Sequence, residues 1–500
     1  MPLTKQTRRD FLKALSLGAI SGFLPKVVSA APGSKRRPNI LFILADDMGW
    51  MDSTVYGSQY YETPNFERLT KRGILFTDAY AASPLCSPTR ASILSGQYPA
   101  RLGITTPACH LAPLPAGTPL LAKKSAAWQK VICPQSRRFL PLENYTIAEA
   151  LKDAGYTTGF IGKWHLGQQS KYWPAAQGFE FDLGAPNPGP PSYFSPYKFK
   201  TIKDGPEGEY ITDRVTDEAI KYIEQDHEKP FFLCLWHFAV HAPFQAKQEL
   251  IEKYRDKNDP RGKQDCPTMA GMLQSLDEGI GRVLDKLDEL DLTKETIIIF
   301  ISDNGGNMYD RVEGQPPTNN APLRGGKGTI YEGGTRVPCV VVWPGIVEPN
   351  TRCSEVISTV DFYPTLLEMA SVATPQNVQL DGESIMPLLK NSAKLKREAV
   401  FCHFPHYVPA TANFPSTSVR KGDFKLIRFY GEGPDRGNAY ELYNLRNDIG
   451  ETTNLASLMS EKVEELDALI EGFIKDTYAV VPVINPAYNA QAKPPRWGNK

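Results

Sequence analysis

Ile40-Leu41-Phe42-Ile43-Leu44-Ala45-Asp46-Asp47 is an unbroken apolar run that stops on two acids. An apolar run without alternation fits a strand buried on both faces, the situation in a parallel sheet. Ile297-Ile298-Ile299-Phe300-Ile301 repeats the pattern and stops at Ser302-Asp303-Asn304-Gly305. Residues 157 to 161 lead into Gly162-Lys163-Trp164-His165, and 231 to 236 lead into His237-Phe238-Ala239-Val240-His241. Residues 337 to 343 read as a further strand, and helical patterns lie between strands at 147 to 153 and 272 to 290. Strands alternating with helices predict an α/β fold with a mostly parallel central sheet flanked by helices. Ligands of such sheets bind beyond the carboxyl ends of the strands, and that is where these polar residues gather.

Asp46, Asp47, Asp303 and Asn304 form an oxygen-rich set suited to a hard divalent cation such as calcium; zinc more often recruits His or Cys. Neighbouring carboxylates repel one another, and a bound cation relieves that repulsion. Either pair taken alone also fits helix N-caps following strands.

Cys86-Ser87-Pro88-Thr89-Arg90 continues into Ala91-Ser92-Ile93-Leu94-Ser95-Gly96. A lone cysteine is commonly a small buried apolar residue. Here the cysteine, the proline two residues on, the arginine four residues on and the small-residue helix together resemble the modification signature of type I sulfatases, in the alkaline-phosphatase-like superfamily. The resemblance implies oxidation of Cys86 to formylglycine, whose hydrate attacks sulfur with one oxygen and later expels sulfate with the other. It implies calcium held by Asp46, Asp47, Asp303 and Asn304 together with residue 86. Arg90, on the same helix face as Cys86, would hold the modified residue. Gly162-Lys163-Trp164-His165-Leu166-Gly167, His241-Ala242-Pro243-Phe244 and Leu323-Arg324-Gly325-Gly326-Lys327-Gly328 also match the family. By that match Lys163 and Lys327 would neutralise sulfate oxygens, His241 would protonate the leaving alcohol, and His165 would take a proton as the aldehyde is regenerated. The substrate implied is a sulfate ester, read here as one on a carbohydrate.

The catalytic region is expected over residues 36–390. A smaller C-terminal α+β subdomain is expected over 396–480, from short strand patterns at 418–421, 424–429 and 440–444 and from Val463, Leu466, Leu469, Ile470, Phe473 and Ile474 at helical spacing. Residues 481–500 are Pro- and Asn-rich and are expected to be irregular. His403 and His406 are candidates for a substrate pocket or for polar wall positions. Lys123, Lys124, Lys130, Arg137 and Arg138 fall in a long insertion, about residues 106 to 142, read as a solvated loop with polysaccharide contact as the alternative. His110 and His227 carry no motif.

Composition narrows the remaining classes. The 56 basic and 56 acidic side chains cancel, so no global field favours nucleic acid. Eight cysteines at irregular spacing give neither a disulfide framework nor a zinc signature; whether Cys109 and Cys133 pair is left open. Thr7-Arg8-Arg9-Asp10-Phe11-Leu12-Lys13, the apolar run from 14 to 24 and Val28-Ser29-Ala30 read as a twin-arginine export signal over 1–31. That run is shorter than the roughly 20 residues a membrane span needs. A periplasmic or secreted protein is expected, with the twin-arginine machinery and a formylglycine-generating or anaerobic maturating enzyme as partners and no integral membrane segment. The rival readings are a phosphate or phosphonate ester hydrolase of the same superfamily, a noncatalytic glycan-binding protein and a Cys-His thiol hydrolase.

Overall fold

The computed structural model describes residues 37–494 apart from 226 and 227. The export signal expected over 1–31, His227 and the end of the tail lie outside the described residues.

The strands follow in chain order. They are β1 (Asn39–Ala45), β2 (Ile74–Tyr80), β3 (Val131–Ile132), β4 (Thr157–Lys163), β5 (Phe181–Ala185), β6 (Phe231–Trp236), β7 (Thr296–Ser302) and β8 (Arg336–Val342). Then come β9 (Thr351–Cys353), β10 (Ile357–Ser358), β11 (Ala399–Phe404), β12 (Ser416–Lys421), β13 (Phe424–Phe429), β14 (Ala439–Asn444) and β15 (Val483–Ile484). The main sheet has nine strands in the order β10-β2-β8-β7-β1-β6-β4-β5, with β9 also on β2. β1 lies between β6 and β7, parallel to both. Only β8, among the described strands of this sheet, runs against its neighbours β2 and β7.

The apolar runs behave as the sequence predicts. Successive residues of a strand point to opposite faces, so Ile40, Phe42 and Leu44 enter one core and Leu41, Ile43 and Ala45 the other. The first core is closed by the helices Cys86–Ser95, Ile147–Asp153 and Phe362–Met369; the second by Pro64–Lys71, Ile211–Ile223 and Pro267–Glu289. Complete burial of each large aliphatic side chain contributes about 1.5–3 kcal/mol. Ile299, on β7, is fully buried. Ile299→Ala is therefore expected to cost about 2–5 kcal/mol in denaturant unfolding, while Leu290→Ala, at a side chain 37% exposed, stays within about 0.5 kcal/mol.

The second sheet is antiparallel in the order β11-β12-β13-β14. The helix Ser460–Thr477 lays Leu466 and Ile470 on Val419, Leu426 and Leu442 of that sheet. Two details differ from expectation. β11 is a strand that the sequence reading passed over, because its polar His403 interrupts the apolar pattern. The tail is not wholly irregular: Val483–Ile484 pair antiparallel with Val131–Ile132 of the insertion. All eight cysteines, Cys109 and Cys133 included, are free thiols. No helix among the described residues is long and apolar enough to cross a membrane.

Candidate active site

The strand directions explain why the selected residues meet. β1, β2, β4, β6 and β7 all end at one edge of the sheet. Asp46 and Asp47 follow β1, Cys86 follows β2 after a short connection, His165 follows Lys163 at the end of β4, His241 follows β6, and Asp303 and Asn304 follow β7. Lys327 precedes its strand rather than following it. Because β8 is reversed, its leading glycine-rich segment arrives at the same edge.

Cys86 opens a helix in which every residue from Cys86 to Ser95 is buried. Small side chains permit this close seat, and its hydroxyls are satisfied locally: Ser92 donates to the Thr89 carbonyl at 2.7 Å and Ser95 to the Ala91 carbonyl at 2.8 Å. The Cys86 sulfur lies 3.5 Å from His165 Nδ1, and Ser87 Oγ donates to the His165 carbonyl at 2.8 Å. Burial raises the thiol pKa against the pull of Lys163 and Lys327, so the unmodified side chain is a protonated, weak nucleophile.

Three buried cations face three buried carboxylates. Lys163 Nζ is 2.5 Å from Asp46 Oδ2, and Lys327 Nζ is 2.7 Å from Asp47 Oδ2. Arg90 donates to Asp303 Oδ2 through Nε at 3.0 Å and Nη2 at 2.7 Å, and to the Lys163 carbonyl through Nη1 at 2.6 Å. Arg90 thus orients Asp303 and β4, and it also interacts electrostatically with the Cys86 side chain. Burial and the charge of Asp303 push the Asp46 carboxyl well above its ordinary pKa. Burial also acts on Asp47, but Lys327, His241 and Lys163 outweigh it and hold that carboxyl below the usual range.

The arrangement fits a cation. Asp46 Oδ1 and Asn304 Oδ1 are buried oxygens without a hydrogen-bond partner, a costly state that a metal ion would relieve. Asn304 Nδ2 donates to Asp47 Oδ1 at 2.8 Å, and the Asp47 amide donates to Asp303 Oδ1 at 3.2 Å, so the set is cross-braced. Asp46, Asp47 and His241 each place one possible ligand atom within 4.8 Å of the others. The two orphaned oxygens nevertheless favour an all-oxygen set, in which Asn304 serves and His241 stays free.

Backbone strain marks the same edge. Asp47 (φ 63°) and His165 (φ 53°) are left-handed, which costs a non-glycine residue roughly 1–3 kcal/mol and concentrates at functional sites. Gly162 (φ +110°) is required where β4 meets β6, since a Cβ would sit 1.9 Å from the Trp236 carbonyl oxygen.

His241 Nδ1 lies 2.6 Å from the Ala242 carbonyl. A carbonyl only accepts, so Nδ1 carries a hydrogen and Nε2, 3.9 Å from Asp47 Oδ2, is the nitrogen that exchanges protons. Burial, then Lys327 and Lys163, hold the His241 pKa below its ordinary value, against Asp47. Burial and Lys163 do the same to His165.

Three neighbours escaped the sequence reading. His110 reaches in from the insertion, its Nδ1 3.1 Å from His165 Nε2. Tyr309 is close enough to Lys327 and Cys86 to interact electrostatically with both. Gly189 abuts the His241 ring, where a Cβ would lie 2.6 Å from Nδ1. His403 and His406 are buried side chains, each held by a hydrogen-bonding contact to a threonine hydroxyl, Thr417 at 2.7 Å and Thr105 at 2.8 Å. In the insertion, Lys130 pairs with Glu432 at 2.5 Å, and Arg137 and Arg138 bond the Leu102 and Ala112 carbonyls.

The sequence profile described as Sulfatase matches residues 38–372. The chain belongs to the sulfatase family. A second profile, N-sulphoglucosamine sulphohydrolase, C-terminal, matches residues 326–476. The chain is 32% identical to a protein named Sulfatase from Formosa agariphila over 89% of each chain. It is 32% identical to human N-acetylgalactosamine-6-sulfatase, over 73% of this chain and 68% of the relative. Among solved structures, Ps i-CgsB in complex with k-i-k-neocarrahexaose aligns with a TM-score of 0.73 and 28% identity, covering 88% of this chain and 94% of that one. The family places the mixed sheet and its antiparallel companion among sulfatases, and makes this chain an enzyme of sulfate ester chemistry.

Proposed function

We propose that this sulfatase hydrolyses sulfate esters carried on carbohydrate, with residue 86 converted to formylglycine and calcium held by Asp46, Asp47, Asp303 and Asn304. The observation that carries the reading is the meeting of Cys86 with two lysines, two imidazoles and an oxygen set holding two orphaned atoms at one sheet edge. Carbohydrate is favoured because one similar protein is named an N-acetylgalactosamine-6-sulfatase and another is described in complex with k-i-k-neocarrahexaose. The same reading takes the chain to the periplasm or outside the cell through twin-arginine export, after a maturation enzyme has acted on Cys86.

Formylglycine supplies an oxygen nucleophile and a second hydroxyl, which permits release of sulfate by elimination. The cation supplies fixed positive charge beside the transferring group. The chain's own residues do the rest. Lys163 and Lys327 stand ready as buried cations for sulfate oxygens, where low dielectric strengthens them. Arg90 fixes Asp303. His241 delivers a proton from Nε2 to the leaving alcohol only in its imidazolium form, which burial beside Lys327 and Lys163 disfavours and Asp47 favours. His165 Nδ1 faces residue 86 and accepts the proton of its remaining hydroxyl.

The leaving group tests the role of His241. A sugar alkoxide needs a proton in the transition state, a contribution of about 10² to 10⁴-fold; nitrophenolate needs it far less. His241→Ala is therefore expected to slow a sugar sulfate by about that factor and 4-nitrophenyl sulfate much less, while Lys163→Ala slows both alike. Equal losses for His241→Ala on the two substrates remove it from the acid role and leave Lys327 as the candidate.

A further inference from the structure

Two segments distant in sequence build an aromatic surface that neither core packing nor the chemistry explains, and one of them is bonded to the segment that presents Lys327. Trp128, in the insertion, meets Tyr407 edge-on at 5.1 Å between ring centroids, and Tyr407 meets Phe414 at 6.2 Å. Phe414 is 43% exposed, and Trp128 and Tyr407 are partly exposed.

The surface is held rigidly. Tyr407 Oη accepts from the Lys130 amide at 3.0 Å, which fixes the ring against the insertion. Asn485, from the tail, donates to the Ala126 carbonyl at 3.1 Å and to the Gln129 carbonyl at 2.8 Å, clasping the turn that carries Trp128. Asn413, buried next to Phe414, donates to the His406 carbonyl at 3.1 Å and accepts from the Ile330 amide at 3.1 Å. Thr411 donates to the Gly328 carbonyl at 3.0 Å. The loop bearing Tyr407 and Phe414 is thereby bonded to the segment that presents Lys327.

We propose that Trp128, Tyr407 and Phe414 form a sugar-stacking subsite, and that the enzyme acts on sulfated chains longer than one sugar. A pyranose ring presents an apolar face of C–H bonds, which rigid aromatic rings cover at low entropic cost. The same insertion carries Lys123 and Lys124, both exposed, whose charge suits a polyanionic chain. The occupant is a sugar unit of the same chain that bears the scissile sulfate. The proposal rests on the sulfatase reading above and narrows its substrate to oligo- and polysaccharides.

The test compares a carrageenan hexasaccharide with 4-nitrophenyl sulfate, using wild-type enzyme, Trp128→Ala, Phe414→Ala and the double variant. Wild-type turnover of the aryl sulfate reports on the sulfatase reading by itself. Hexasaccharide binding is measured by calorimetry, so the subsite is judged even where turnover is slow. Each substitution is expected to weaken hexasaccharide binding by about tenfold, with aryl sulfate kcat/KM unchanged within about twofold and the thermal midpoint near wild type. Equal losses on both ligands, hexasaccharide binding indifferent to the double substitution, or no hexasaccharide binding by the wild type overturns the subsite.

Discussion

The Cys86→Ala protein is expected to fold normally and to turn over no sulfate ester above background, a fall of roughly 10⁴-fold or more. Alanine fits the space, because the helix it opens is already rich in Ser and Ala, and it removes the sulfur's contact with His165 Nδ1. What is lost is the attacking group. The unmodified thiol does not rescue the reaction, since burial keeps it protonated and a thiol has no second hydroxyl with which to expel sulfate. Mass spectrometry of the peptide containing residue 86, from active protein of the native host, is expected to show the aldehyde. Intact thiol alone alongside full turnover would contradict the mechanism.

Removing the cation is expected to cost nearly as much. Exhaustive chelation should lower turnover by about 10³-fold or more, in line with the several kcal/mol a bound ion contributes to charge stabilisation, and calcium should restore it. Calcium affinity, measured by calorimetry on the Cys86→Ala protein, separates binding from activity. Asp303→Ala is expected to abolish that affinity. Asp303→Asn is a graded case: an amide has one oxygen, and here Arg90 holds one carboxylate oxygen while the Asp47 amide approaches the other. With its oxygen turned to the ion the amide keeps one ligand atom and gives up the hydrogen bonds from Arg90, so affinity falls but less than for alanine. Unchanged turnover in protein shown by elemental analysis to be metal-free would sink the calcium assignment.

Much of this site was legible because a continuous apolar run that ends abruptly in charge fits little besides a central strand running out into a polar cleft. Ile40 to Ala45 and Ile297 to Ile301 show both that a strand is covered on two faces and where it stops, and the stop is the site. What stayed hidden depends on distance through space. His110 sits among Pro, Ala and Leu with no periodicity around it, and only the fold of the insertion carries it to His165. Gly189 looks like one more loop glycine until the His241 ring is placed against it. Arg90 shows a spacing that pairs it with Cys86, yet the helix turns its guanidinium onto Asp303, because a buried carboxylate offers a strong, charge-assisted partner to two of its nitrogens. For His403 and His406 the sequence left a pocket position and a polar wall position open, and here both rings bond threonine hydroxyls.

The sealed helix from Cys86 to Ser95 sets a schedule for biosynthesis. Cys86 is 2% exposed and Arg90 0%, so the side chains by which a maturation enzyme would read this segment are hidden once the sheet closes over them. On the proposed maturation, modification and folding would compete for the same stretch of chain, and a chain that folded first would stay a thiol until it reopened. The active fraction of a preparation would therefore record the relative speeds of two early events, and maturation enzyme added to folded thiol protein would raise it only as fast as the chain spontaneously opens.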